Sequence, residues 1–182
     1  MNIASLGHGV IDLICDIGRH LQFEVAREVE ASSAAWVDVV WFDKRLGLSA
    51  VGVERPKIRR NPVLPIAGFE VEVKTGLNAK HIKGSVSNLN NLGALMGCIV
   101  IGAGNLAALG SKAPHTTKSE SQLEDILLER VFKWVYAESQ PTGRIVVMSE
   151  RDVCQWASRL QLPIPHAAQP SAPKDAPQAA RP

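Results

Sequence analysis

The sequence is poor in cysteine, and its three cysteines are Cys15, Cys98 and Cys154. Their number is odd, they lie far apart and each has apolar neighbours, so they form neither a disulfide framework nor a zinc-binding set. We interpret them as buried thiols of a protein from a reducing compartment. This interpretation excludes the small secreted domains that disulfides hold together.

The sequence also lacks an excess of charge of either sign. Its 20 basic and 18 acidic residues give a formal net charge of +2. That value excludes a polycationic surface, so any binding to nucleic acid has to come from a local basic patch.

Two further features are missing, an uninterrupted apolar run of membrane-spanning length and a basic-then-apolar leader. We therefore expect a cytoplasmic, soluble protein with no membrane partner. The 182 residues, 46% of them hydrophobic, suffice for one core, so we expect a single domain over residues 1–162. Residues 163–182 are mostly proline, alanine and polar residues, which predicts a disordered tail.

Charged and apolar residues alternate from residue 68 to residue 76. Because side chains of a β-strand alternate between its faces, Glu70, Glu72 and Lys74 share one face of the predicted strand. Burying three neighbouring charges is costly unless they pair or bind an ion, and that requirement is typical of a metal site. The alternative is an edge strand whose charged face is solvated.

A second apolar strand, at residues 35–42, is interrupted by one acid, Asp38. Asp38, followed after a long insertion by Glu72, Val73 and Lys74, resembles the motif of the PD-(D/E)XK nuclease superfamily. The resemblance implies an α/β protein with a restriction-endonuclease-like core. In this core a mixed central sheet is flanked by helices in the order α-β-β-β-α-β, and here an α-β-α unit follows.

The same resemblance implies a Mg²⁺- or Mn²⁺-dependent endonuclease that hydrolyses DNA in restriction, phage defence or DNA repair. In this view Asp38, Glu72 and the backbone carbonyl of Val73 hold the metal, and hard oxygen ligands suit it. Lys74 positions or deprotonates the attacking water. Glu70 is either an accessory ligand or the working partner of Glu72. The implied partner is DNA, and a homodimer or a larger defence or repair complex stays open.

The segment before Asp38 predicts a β-hairpin. Residues 23–30 alternate, with Phe23, Val25, Arg27 and Val29 on one face, and residues 31–34 form a tight connection. On the other face, Glu28 and Glu30 are either accessory carboxylates of the site or part of a solvated outer face.

Residues 43–67 carry prolines and glycines that predict a long loop. The loop contains a run of basic residues. Because the loop connects the strands that carry Asp38 and Glu72, this run is placed where phosphate contacts are useful, although a solvated charge run is the alternative. The candidate nucleic-acid-binding residues are Arg55, Lys57, Arg59 and Arg60 in the loop, and Lys83 on the following helix.

The rest of the chain alternates between helices and strands. A helix over residues 79–96 begins after the capping residue Asn78, and an apolar run at residues 98–102 predicts a parallel strand. A helix over residues 120–138, a strand over residues 144–148 and a last helix capped by Ser149 extend the sheet.

Gly102, Gly104 and Ala107 match the G-x-G-x-x-A pattern of dinucleotide-binding turns. No strand ending in an acid follows at the distance that this pattern requires, so a short glycine-containing turn is favoured. Three functions therefore stay open: a metal-dependent DNA nuclease, an inactive nuclease-like domain that binds nucleic acid or a partner, and a nucleotide-binding α/β protein.

Overall fold

The computed structural model describes residues 6–43, 45, 64–73, 76–105, 108, 119–138 and 144–165. The main elements of these residues are four helices and five strands, and residues 103–105 and 108 are helical as well. In chain order the main elements are α1 (Gly9–His20), β1 (Glu24–Ser32), β2 (Ala35–Phe42), β3 (Pro65–Glu72), α2 (Ala79–Leu92), β4 (Met96–Ile101), α3 (Glu120–Glu138), β5 (Ile145–Ser149) and α4 (Glu150–Arg159).

The five strands form one mixed sheet in the order β1-β2-β3-β4-β5. β1, β2 and β3 are antiparallel neighbours, whereas β4 runs parallel to both β3 and β5. Parallel neighbours need a crossover connection, and α2 and α3 lie in the two crossovers. The predicted α/β class, with a mixed sheet flanked by helices, is confirmed.

Apolar side chains cover both faces of the sheet. One cluster joins α1 and α4 to the sheet, and a second cluster joins α2 and α3 to the opposite face. Burial on both faces explains the continuous apolar run of β4, in which five of six residues are buried. The three cysteines are buried and free, as predicted.

Two element boundaries differ from the sequence prediction by three residues or more, whereas the end of β3 and the boundaries of β1, β4 and β5 differ by one or two. β3 begins at Pro65, not at Gly68, because a proline is tolerated as the first residue of a strand. α2 ends at Leu92, not at Met96, because Gly93 adopts the left-handed conformation with φ of 72° and terminates the helix. The predicted capping residue is confirmed, since the side chain of Asn78 accepts hydrogen bonds from backbone N–H groups of the first turn.

The alternation predicted for β1 is wrong beyond Arg27. Val25 packs in the cluster with α1, whereas Val29 packs in the cluster with α2. The faces change at Glu28, whose φ of 49° is left-handed. The ladder between β1 and β2 pairs Arg27 with Val39 and Val29 with Val37, and skips the residues between them. This irregularity therefore lies at the same level of the sheet as Asp38.

Within the described residues, no helix is both long and apolar enough to cross a bilayer.

Candidate active site

A pocket of about 570 Å³ is lined by the sheet, by α2 and by the start of α1. Three carboxylates line it, Asp38 from β2 and Glu70 and Glu72 from the carboxyl end of β3. The remaining lining residues are His8, Ile11, Val71, Val73, Lys80, His81, Gly84, Ser85 and Asn88.

Strand alternation sends the two glutamates to the α2 side. Phe69 and Val71 pack in the cluster with α1, while Glu70 and Glu72 are hydrogen-bonded to side chains of α2. The predicted shared face of Glu70 and Glu72 is confirmed. Asp38 reaches the same place because its Oδ2 accepts the backbone N–H of Val71 at 2.7 Å.

Glu70 is the most deeply buried of the three carboxyl groups, with 7% of its surface exposed. Its Oε1 accepts a hydrogen bond from Nδ2 of Asn88 at 2.9 Å. Burial raises the pKa of Glu70 to about 8, the Asn88 hydrogen bond opposes this, and the charges of Asp38 and Glu72 add to it. A proton or a cation beside Glu70 would therefore be favourable at neutral pH.

Asp38 is half-buried, and burial is the main reason that its pKa lies above the ordinary value. The hydrogen bond from Val71 opposes the rise, the charges of Glu72 and Glu28 add to it, and His8 opposes it. Glu28 thus acts on the site through its charge. Glu28 and Glu30 are both exposed and lie outside the pocket lining.

Two side chains of α2 hold the glutamates in place. Oγ of Ser85 donates to Oε1 of Glu72 at 2.8 Å, and Asn88, one turn further along the helix, holds Glu70. The sequence prediction missed both residues and selected Lys83, which is exposed on α2. A signal was present, because Ser85 is a polar residue within the stripe that Ile82, Val86 and Leu89 bury.

The donor set determines which metal the pocket could hold. Among the described residues, no group of three or more His, Cys, Asp and Glu side chains is arranged to hold a metal ion. Each of the three carboxylates accepts a hydrogen bond at one oxygen, and within the described chain no hydrogen bond occupies the other. Mg²⁺ keeps several waters and often binds through one or two carboxylates. The residues present fit an ion of that kind.

The structure brings together only part of the predicted site. Asp38, Glu70, Glu72 and Val73 meet in the pocket, and Lys83 is exposed on the helix that forms its wall. Lys74 and the basic run lie outside the described residues. That run comprises Arg55, Lys57, Arg59 and Arg60.

The glycine-containing turn after β4 binds a carboxylate of the protein itself. Glu150, at 2% exposure, accepts the backbone N–H of Ala103 at 2.8 Å and also the backbone N–H of Leu6. In a dinucleotide-binding turn, such amide groups face the pyrophosphate. Here the carboxylate of Glu150 accepts the N–H of Ala103 in place of a pyrophosphate. This contact favours a structural role for the turn over nucleotide binding.

Comparison with models of known protein families finds none that matches this chain, and comparison with curated proteins finds no match either. What the protein does is therefore inferred from its own residues.

Proposed function

We propose that the protein is a Mg²⁺- or Mn²⁺-dependent nuclease that hydrolyses DNA phosphodiester bonds. The observation that carries this proposal is the meeting of Asp38, Glu70 and Glu72 in one open pocket. The charges of Asp38 and Glu72 add to the rise in the pKa of Glu70, and a bound divalent cation would relieve this repulsion.

The order of elements supports a restriction-endonuclease-like core. α1, the β1–β2 hairpin, β3, α2 and β4 follow one another as the superfamily resemblance implies, with β4 parallel to β3. Asp38 lies on the second strand and Glu72 ends the third. α3, β5 and α4 form the expected added unit.

Each residue of the site has a role in the proposed reaction. Asp38, Glu72 and the backbone carbonyl of Val73 hold the metal, which when bound acts as a Lewis acid and lowers the pKa of water. Glu70 is an accessory carboxylate whose position Asn88 sets. Lys74, which follows Val73 in the sequence, positions the attacking water and stabilises charge that develops on the phosphate.

The basic run between β2 and β3 binds the DNA backbone in this proposal, since phosphate contacts position a nucleic acid without reading its sequence. The biological setting is restriction, phage defence or DNA repair. The protein works as a homodimer or within a larger complex, or as a single chain.

Substitution of Asp38 tests the proposal. The parent protein should cleave supercoiled, linear or branched DNA only when Mg²⁺ or Mn²⁺ is added, and Asp38→Asn should reduce the cleavage rate by about 100-fold or more. Without metal, the melting temperature of Asp38→Asn should be unchanged or raised, because a repelling charge is removed while the Val71 N–H keeps an acceptor. Asp16→Asn, an exposed change on α1, is the matched control.

The opposite result is equally defined. If Asp38 and Lys74 form a buried structural ion pair, Asp38→Asn and Lys74→Ala should each destabilise the protein by about 3–5 kcal/mol. Such losses, together with no stabilisation of the parent by Mg²⁺ in thermal melts, would contradict the nuclease function.

One observation favours a second candidate. Because the described residues contain no group of three metal-ligating side chains, a nuclease-like domain that binds nucleic acid or a partner without cleaving is the alternative. Calorimetric titration with Mg²⁺ separates the two candidates, since the inactive domain should bind DNA but show no specific heat of metal binding.

A further inference from the structure

Residues 102–105, here the Gly102 turn, contact the end of β3, and residues 103–105 of this turn are helical. Asn105 is 4% exposed, and its Nδ2 donates to the backbone carbonyl of Glu72 at 2.7 Å. Its Oδ1 accepts the backbone N–H of Leu77 at 3.3 Å. One buried amide therefore joins the last residue of β3 to the residue that precedes the cap of α2.

Gly102 makes this contact possible. Its N–H donates to the same carbonyl oxygen of Glu72 at 3.0 Å. A Cβ at position 102 would lie 2.9 Å from Cα of Val73 and 3.3 Å from the carbonyl oxygen of Glu72. Backbone atoms cannot yield easily at such distances, so the close approach requires glycine.

The Gly102 turn is itself held from its other side. Glu150, the first residue of α4, accepts the N–H of Ala103 at 2.8 Å. The turn is therefore bonded to α4 through Glu150 and to β3 through Gly102 and Asn105. Its position is therefore defined by contacts with both β3 and α4.

Glu72 is consequently held at two points. Ser85 binds its carboxylate, while Gly102 and Asn105 bind its carbonyl oxygen. Fixing that oxygen fixes the peptide plane between Glu72 and Val73. With that plane fixed, the carboxylate of Glu72 and the backbone of Val73 keep one orientation toward the pocket.

We propose that Asn105 is a positioning residue for Glu72 and Val73, and that the Gly102 turn serves the pocket and does not bind a nucleotide. The catalytic consequence rests on the proposed nuclease function. The two hydrogen bonds that Asn105 makes with Glu72 and Leu77 are here called the Asn105 clamp. This clamp is measurable without substrate or metal, so the two proposals can fail separately.

Two substitutions separate the two hydrogen bonds of Asn105. Asn105→Ala removes both, whereas Asn105→Asp keeps an acceptor for Leu77 but loses the donor to Glu72. In the metal-free protein, hydrogen exchange of the Leu77 amide should be about tenfold faster or more in Asn105→Ala. In Asn105→Asp it should rise less than in Asn105→Ala, because an acceptor for Leu77 remains although the carboxylate repels the carbonyl oxygen of Glu72.

Cleavage gives the second measurement. Both variants should lower kcat about 10- to 100-fold with little change in KM, because supporting hydrogen bonds orient metal ligands and do not hold the substrate. Gly102→Ala, which displaces Val73 by its added methyl group, should also lower kcat. Val131→Ala, which removes buried methyl groups on α3, controls for general loss of stability and should retain the parent exchange at Leu77.

Each outcome decides a specific point. Parent-like exchange of Leu77 in Asn105→Ala would overturn the clamp, whether or not the protein cleaves DNA. Fast exchange of the Leu77 amide in Asn105→Ala, together with the parent kcat in all three variants, would overturn the positioning role. If the parent itself does not cleave DNA, the nuclease function and the catalytic part of this inference fall together, and Leu77 exchange still decides the clamp.

Discussion

Glu70 illustrates how much a single side chain depends on its surroundings. Its ordinary pKa of 4.5 rises to about 8 in the folded protein, first through burial and then through the charges of Asp38 and Glu72. Between those two values the folded protein holds a proton that the unfolded chain releases. The folded state therefore loses stability as the pH rises through this range.

We expect the metal-free protein to become less stable from pH 4.5 to about pH 8, and Glu70→Gln to reduce this decline. Each unit of pKa shift corresponds to about 1.4 kcal/mol, so the difference should reach a few kcal/mol by the upper end of this range. The amide of glutamine can still accept the hydrogen bond from Asn88. Urea unfolding across the pH range measures the effect.

The exposed change Glu129→Gln on α3 is the control and should leave the decline in place. An equal decline in Glu70→Gln would show that other groups cause it. Added Mg²⁺ should stabilise the parent most at the alkaline end, where Glu70 is ionised.

At the scale of elements, α1 packs onto β2 through Gly18. The indole ring of Trp41 stacks on Phe23 and contacts Phe69 and Trp156, so neighbouring rings surround it. A Cβ at Gly18 would lie 2.5 Å from Nε1 of Trp41. Because the neighbouring rings leave the indole little room to move, α1 can approach β2 this closely only if residue 18 has no side chain.

Gly18→Ala should therefore destabilise the protein by about 1–3 kcal/mol, although alanine favours helices more than glycine does. Gly84→Ala is the matched control, because a Cβ at Gly84 on α2 has no neighbour within 4 Å among the atoms of the structure. It should stabilise the protein by about 0.5–1 kcal/mol. Chemical denaturation of both variants tests the pair, and equal effects would contradict the packing argument.

At the scale of the whole molecule, the small net charge conceals an uneven distribution. The basic run of residues 55–60 lies on the chain between β2 and β3, the two strands that supply the carboxylates of the pocket. Arg59→Ala with Arg60→Ala should weaken DNA binding. The slope of log affinity against log salt should decrease by about 0.9 for each phosphate that the variant no longer neutralises.

Fluorescence anisotropy in the absence of divalent metal measures this slope. A control that also removes two positive charges is Arg19→Ala with Lys133→Ala, at exposed positions of α1 and α3. It should change the slope less. Equal slopes for the two double variants would mean that only net charge matters and that the basic run does not contact DNA.

The carboxyl end of the chain offers a further test at this scale. Leu162 packs against the core, and its N–H donates to the carbonyl of Ala157 at 3.0 Å. A chain ending at Pro165 should melt with the parent, because the removed residues include no large apolar side chain. A chain ending at Gln161 should melt about 3 °C or more lower. Equal melting of the two shortened chains would contradict this boundary.

Local patterns in the sequence determined the order of the elements and one face of the site. Apolar spacing predicted the helices and the strands, Asn78 and Ser149 predicted two caps, and alternation placed Glu70 and Glu72 together. These features depend on neighbours within a few residues along the chain, so they can be read from the sequence. Periodicity did not locate the end of α2, which Gly93 decided, or the start of β3, which lies at Pro65.

Only the tertiary structure decided which distant residues complete the site. Four hydrogen bonds join separate parts of the chain. The N–H of Val71 donates to Asp38, Ser85 and Asn105 both donate to Glu72, and the N–H of Ala103 donates to Glu150. No spacing rule specifies such partners, because they depend on how the sheet and helices pack. The change of face at Glu28 is likewise seen only in the folded sheet, where residues 28 and 38 are left out of the ladder between β1 and β2.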